Sequence, residues 1–171
     1  MAETVHITAD ILADNRLFEG LSSEALERLA AELPTESALP GQVLMEQDAE
    51  ESHMFVVLQG ELEVLHRGDA DRDVTVALLG PGDWAGEMAV LEVQPRSASV
   101  RALSPSLLIR ITASDVERLL LAPDPTQYAT VVLNIARELS RRLRVADRVI
   151  ANASTSLAER YVKESRRPPA R

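Results

Sequence analysis

The sequence predicts an α+β fold: an antiparallel β-roll (a jelly-roll-like barrel) with an N-terminal helix, a short helix inside the roll and long C-terminal helices. Two observations carry this. Between about residues 35 and 112 the apolar residues recur with a period of two, in short segments separated by turn residues. On either side the period lengthens to that of a helix. Evenly spaced short strands favour a small antiparallel barrel or roll.

Residues 8–32 read as helical, with Leu12, Leu17, Phe18, Leu21, Leu26, Leu29 and Ala30 on one face and a cap at Leu21-Ser22-Ser23-Glu24-Ala25. The strand candidates are 41–45, 53–58, 61–65, 74–79, 97–102 and 107–111, with hairpin-type breaks at Gln59-Gly60 and Arg67-Gly68-Asp69. After Thr112-Ala113-Ser114-Asp115 the helical period returns to about Leu121, breaks at Pro123-Asp124-Pro125, and resumes in a long helix from Thr126. On that helix Leu139, Leu143, Ala146, Ile150, Ala153 and Leu157 follow a 4-3-4-3-4 spacing, flanked by Arg141, Arg142, Arg144 and Arg148. So regular a seam predicts a second copy of the helix and a parallel homodimer through residues 139–157. The expected organisation is a roll with its N-terminal helix over 1–125, a lid and dimerisation helix over 126–165, and a flexible tail over 166–171.

Length and composition fit a folded chain with a full core: 171 residues, 46% hydrophobic. No apolar run approaches membrane-spanning length, and the N-terminus lacks a signal-peptide pattern. Cysteine is absent, which excludes disulfides and thiol catalysis and fits a cytoplasmic address. The net charge of −9 is unevenly spread: residues 1–136 hold 8 basic and 23 acidic side chains, residues 137–171 hold 10 and 4. An acidic body argues against a nucleic-acid-binding domain, while the basic end suits an acidic partner or a solvated helix face. His6, His53 and His66 lack metal-ligand spacing and no Ser-His-Asp context is visible, so neither a metal nor an enzyme is expected. Each histidine reads as a surface or strand residue.

The segment from Gly82 to Val100 carries the chemistry. Gly86-Glu87 opens a short helical turn, and Arg96 follows Glu87 by nine positions. A helix start presents backbone N–H groups to an anion, and a guanidinium clamps phosphate through its planar fork. A carboxylate beside an anion is repelled unless it accepts hydrogen bonds from something else, such as sugar hydroxyls. Anion and sugar together point to a nucleotide. The plain structural alternative is a Glu87–Arg96 ion pair across a turn.

Several motifs in order resemble the cyclic nucleotide-binding domain family, which includes catabolite activator proteins, regulatory subunits of cAMP-dependent kinase and cyclic-nucleotide-gated channels. They are Leu17-Phe18-Glu19-Gly20-Leu21-Ser22, Pro40-Gly41-Gln42-Val43-Leu44, Val56-Val57-Leu58-Gln59-Gly60-Glu61-Leu62-Glu63-Val64, and Gly80-Pro81-Gly82-Asp83 leading into Gly86-Glu87-Met88-Ala89 and Pro95-Arg96-Ser97-Ala98. The likeness covers roughly residues 12–150, and the last two motifs resemble the family's phosphate-binding cassette. It departs from the pattern at Ala85, where the family usually has an aromatic residue, and at Gln47, where a turn glycine is common.

The resemblance implies a ligand-binding set of Gly86, Glu87, Met88, Ala89, Arg96, Ser97 and Ala98. Glu87 would accept from a ribose 2′-hydroxyl. Arg96 would hold the cyclic phosphate, with the Ser97 hydroxyl and the N–H groups of Gly86, Met88 and Ala89. On the long helix it brings Ala146 and Asp147 to positions that meet the base, where a carboxylate suits guanine and a surface ion pair with Arg144 is the rival reading. The ligand is thus expected to be a cyclic mononucleotide, cAMP or cGMP, with no further cofactor. Nothing after the long helix reads as the DNA-binding helix-turn-helix domain of the activators. The expectation is a stand-alone sensor that moves its C-terminal helix about a hinge around 119–130 and signals to an effector protein. The alternative is a nucleotide-free scaffold of the same fold.

Overall fold

The structure, a computed structural model, describes residues 7–68, 72–92 and 94–165, with side chains to residue 155. The expected tail 166–171, Asp69, His6 and the Leu157 side chain lie outside them. The chain forms two compact units, Met1–Asn134 and Ile135–Arg171.

In the first unit, helices α1 (Ala9–Ala13) and α2 (Ser23–Glu32) precede eight strands: β1 (Thr35–Ala38), β2 (Val43–Met45), β3 (His53–Gln59), β4 (Leu62–Arg67), β5 (Asp73–Leu79), β6 (Trp84–Ala85), β7 (Ser99–Ala102) and β8 (Ser106–Thr112). A short helix α3 (Glu87–Leu91) lies between β6 and β7. Helix α4 (Ala113–Val116) runs into a π-helical turn at Glu117–Leu121, and α5 (Pro125–Ser165) completes the described chain. The class is α+β, as expected.

The roll is a pair of open four-stranded sheets rather than a closed barrel, ordered β1-β8-β3-β6 and β2-β7-β4-β5, with every pairing antiparallel. Strands β2 and β6, at sheet edges, have three and two residues, too few to carry a hydrogen-bond ladder from one sheet into the other. All eight strands feed one core between the sheets: Ala38, Met45, Phe55, Val57, Leu62, Leu79, Ala85, Val100, Ala102 and Leu108 are buried there. Gly60 turns β3 into β4 at φ +89°; a Cβ there would lie 2.2 Å from Ser106 Oγ, so the hairpin requires glycine.

The helix expected over 8–32 is two helices. Asn15 Oδ1 accepts from Leu17 N at 2.9 Å, a local bond that competes with helix continuation, and Gly20 takes φ +85°. Ser22 then starts α2 as the expected cap, its hydroxyl accepting from Ala25 N. The apolar positions of the single-helix reading are mostly buried all the same, among them Leu12, Leu17, Phe18, Leu26 and Leu29. Two strands, β1 and β6, were not among the candidates. Thr35-Glu36-Ser37-Ala38 is mostly polar and lacks the alternation, and β6 is only two residues long.

Thr112 and Asp115 close a reciprocal capping box at the start of α4. In the π-turn Ala122 N donates to Glu117 O, five residues back, at 2.8 Å. Asn134 Nδ2 donates to Leu17 O and Glu19 O, which ties the first turns of α5 to the α1–α2 connection.

Candidate functional site

The segment 86–96 folds back on itself. Gly86, left-handed at φ +89°, caps α3 with no side chain. Its α-carbon sits where a Cβ would meet Met45 Cε at 2.6 Å, His53 O at 2.7 Å and Arg96 Nη1 at 2.8 Å. Only glycine combines this backbone angle with this closeness. Glu87 opens α3 and is buried, at 4% exposure.

Arg96 is equally buried, at 4%. Its backbone is clamped in both directions to the loop before β3: Arg96 N donates to Ala49 O and Asp48 N donates to Arg96 O, each at 2.9 Å. The side chain turns back toward the start of α3, and Nη1 donates to Gly86 O at 3.4 Å. The two residues singled out by spacing are thus brought to one place, where Glu87 and Glu51 favour the cation and Arg110 opposes it. Burial is the strongest influence, and it holds the Arg96 guanidinium below its ordinary value.

The guanidinium is incompletely satisfied. Its Nε and Nη2 are buried and have no hydrogen-bond partner among the described residues; the Glu51 carboxylate approaches Nη2 only to 3.8 Å. A buried cation with unused donors is expensive, and an oxyanion is the group that completes it.

Of the other expected residues, Ala89 is buried, Ala98 half-buried, and Met88 and Ser97 exposed. Asp147 is exposed on α5 in the second unit. At the two departures from the family pattern, Ala85 is a core residue with the buried Trp84 beside it. The left-handed turn position is Asp48 (φ +69°), one residue beyond Gln47. Asparagine and aspartate tolerate that region better than most residues. Gln47 instead bridges strands, its Oε1 accepting from Arg67 N and its N donating to Ser99 Oγ, both at 2.9 Å.

Two neighbours of Arg96 escaped the sequence reading. Glu51 lies in the loop before β3. His53 begins that strand, and its ring meets Phe55 edge-on at 5.1 Å between centroids. The signal was parity: His53 shares the core-facing register of Phe55 and Val57. His66, by contrast, is an exposed strand residue. Among the described residues no group of three or more His, Cys, Asp or Glu could hold a metal ion, and no helix is long and apolar enough to cross a membrane.

The family model for the cyclic nucleotide-binding domain matches residues 35–122, so this chain belongs to that family. It is 31% identical over 153 residues to the Pycsar effector protein PaPycTIR of Pseudomonas aeruginosa, a match covering 88% of this chain and 46% of the relative. Among solved structures it is similar to the catabolite activator protein of Thermus thermophilus, with a TM-score of 0.70, 28% identity, and 82% of this chain and 63% of that one covered. It is also similar to a cyclic nucleotide-binding domain from Methylobacillus flagellatus KT, with a TM-score of 0.74, 25% identity and coverage of 85% and 82%. The chain therefore spans about half the length of the Pseudomonas effector.

Proposed function

We propose that this cyclic nucleotide-binding domain is a sensor for a 3′,5′-cyclic mononucleotide, cAMP or cGMP, whose phosphate docks on Arg96. The observation that carries the reading is the buried guanidinium with two donor nitrogens unused. A cyclic phosphodiester bears one negative charge, which one arginine and the N–H groups of Gly86, Met88 and Ala89 suffice to hold. Ser97 and Ala98 close the cassette around it. Glu87 takes the ribose 2′-hydroxyl, which is free in a 3′,5′-cyclic nucleotide and can donate to a carboxylate. On α5, Asp147 selects the base.

Signalling follows from differential affinity: the nucleotide binds more tightly when the cassette is drawn in, and the hinge around 119–130 changes the presentation of the C-terminal helix. We assign residues 1–125 to the ligand-binding roll, 126–165 to the helix that pairs two copies, and 166–171 to a tail. On α5 Leu143, Val145, Val149 and Ile150 are each about 60% exposed, and Ala146 and Ala153 are also exposed. That apolar stripe suits a homodimer through 139–157 that presents its basic flanks to an effector protein.

The test is a thermal melt with each cyclic mononucleotide and with 5′-AMP. A ligand at about a hundred times its dissociation constant adds roughly 2.7 kcal/mol, or about 5–10 °C for a domain of this size. A shift with one cyclic nucleotide and none with 5′-AMP is expected. No shift with any cyclic nucleotide would replace the sensor with a nucleotide-free scaffold.

A further inference from the structure

Glu51 stands between two buried groups of the site. Its Oε2 lies 3.8 Å from Arg96 Nη2 and 3.8 Å from His53 Nε2. The side chains of Arg96 and His53 are nearly closed to solvent, at 3% and 9%, whereas that of Glu51 is 47% exposed and has room to swing. At this separation Glu51 offsets charge on Arg96 without hydrogen bonding to it, since Nη2 has no such partner. It is a loose counter-ion.

The charges facing His53 come from every side. Burial is the strongest influence and, together with Arg96 and Arg110, holds the imidazole below its ordinary range; Glu51 works the other way and favours the charged ring. Arg110, on β8, is itself paired with Glu36 at 3.5 Å. Thr112, the β8 residue in register with His53, engages Asp115, which is also held by Arg118. Glu87 faces Arg96 from α3. Of these carboxylates, Glu51 is the one placed to serve either cation.

We propose that Glu51 is a built-in competitor for the phosphate: an anion docking on Arg96 displaces it, and the carboxylate passes to His53, which takes up a proton from solvent. This rests on the reading that the cyclic phosphate docks on Arg96. It adds that nucleotide affinity is set by an internal exchange of partners and is linked to pH. With nucleotide bound, His53 loses part of the Arg96 field to the phosphate and gains Glu51, so its pKa in the complex exceeds that of the free protein. The complex then binds more protons, and affinity rises as pH falls through the bound-state pKa, levelling off below the free-state value. A cyclic phosphodiester does not titrate in this range.

The experiment is isothermal titration of the full chain with cAMP and cGMP from about pH 8 to about pH 5, on wild type, Glu51→Gln, His53→Asn and Arg96→Met. NMR titration of the His53 ring with and without cAMP or cGMP accompanies it. The wild type is expected to tighten about threefold to tenfold toward the acid end, as a His53 shift of half to one unit requires. Glu51→Gln should bind more tightly than wild type at the upper pH, with its pH dependence flattened. His53→Asn should show no pH dependence. Glu51→Gln binding more weakly than wild type, or a His53 pKa unmoved by nucleotide, overturns the exchange. If Arg96→Met still abolishes binding, the docking reading survives that result. Undiminished binding by Arg96→Met, or no binding by wild type, defeats the docking reading itself and the exchange with it.

Discussion

Two arginines of the first unit, Arg101 on a strand and Arg96 in a loop, face carboxylates, and they are wired in opposite ways. On β7, Arg101 donates to Glu63 Oε1 from Nε at 2.8 Å and approaches it with Nη2 at 2.6 Å, while the Thr75 hydroxyl donates to Oε2 at 3.0 Å. Three adjacent strands are pinned through one carboxylate whose two oxygens are both used. Arg96 is more deeply buried and has less: one long bond to Gly86 O, a carboxylate at 3.8 Å and two unused nitrogens. A completed pair holds a fold together; an incomplete one at greater depth is a cost that a ligand removes. Glu87 adds a favourable charge beside Arg96, yet two guanidinium nitrogens stay without a hydrogen bond.

The sharpest way to break this contrast is to remove each cation while keeping its bulk. Arg96→Met should abolish cyclic nucleotide binding, with a loss of at least about a hundredfold by calorimetry, because charge, fork and phosphate partner disappear together. Its melting temperature without nucleotide should not fall, since an under-satisfied buried charge has been exchanged for an apolar side chain of similar length. A lower melting temperature with binding intact would make Arg96 structural and end the distinction.

A smaller effect is expected at the other end of the cassette. Glu87→Gln keeps the shape and loses the charge-assisted bond proposed for it with the ribose. Such bonds contribute about 1.5–3 kcal/mol, so affinity should drop about tenfold to a hundredfold. The cycle that isolates this bond uses the 2′-deoxy cyclic nucleotide, which should bind the wild type less tightly by a similar factor and lose little more in the mutant. Equal losses for both ligands would remove Glu87 from the ribose.

The contrast between the arginines also marks what could be read from sequence. The meeting of Gly86, Glu87 and Arg96 was legible because they lie within eleven residues, and a glycine before a short helix with an arginine beyond it suffices to suggest anion chemistry. The strands were legible where apolar residues alternate, and the α5 stripe where they repeat in heptads. The rest depends on distance through space. Closure of the roll fails at β2 and β6 because those strands are too short, and the helix over 8–32 breaks at a hydrogen bond between Asn15 and Leu17 that no periodicity records. Glu51 was one acid in the run from Glu46 to Glu51; only the fold puts it between Arg96 and His53.

The smallest expected effect belongs to the completed pair. Arg101→Met should leave cyclic nucleotide affinity within about twofold, a difference under half a kcal/mol, because Glu63 and Thr75 are not part of the cassette. Its cost is in stability, about 1–2 kcal/mol, less than a fully buried charged hydrogen bond because the Arg101 side chain is 40% exposed, or roughly 2–8 °C in the melt. Acid makes the assignment specific. The hydrogen bond from Arg101, with a further contribution from Thr75, holds the Glu63 carboxyl below the usual glutamate range in the folded protein, against the opposing effect of burial. A depressed folded-state pKa gives stability that is present above the unfolded value and lost as pH falls through the folded one. The wild type should therefore shed part of its stability over that acid interval, and Arg101→Met should shed less, so the two melting curves converge as pH falls. Curves that stay parallel into acid would mean that Glu63 draws its stabilisation from another neighbour, and the contrast with Arg96 would then rest on burial alone.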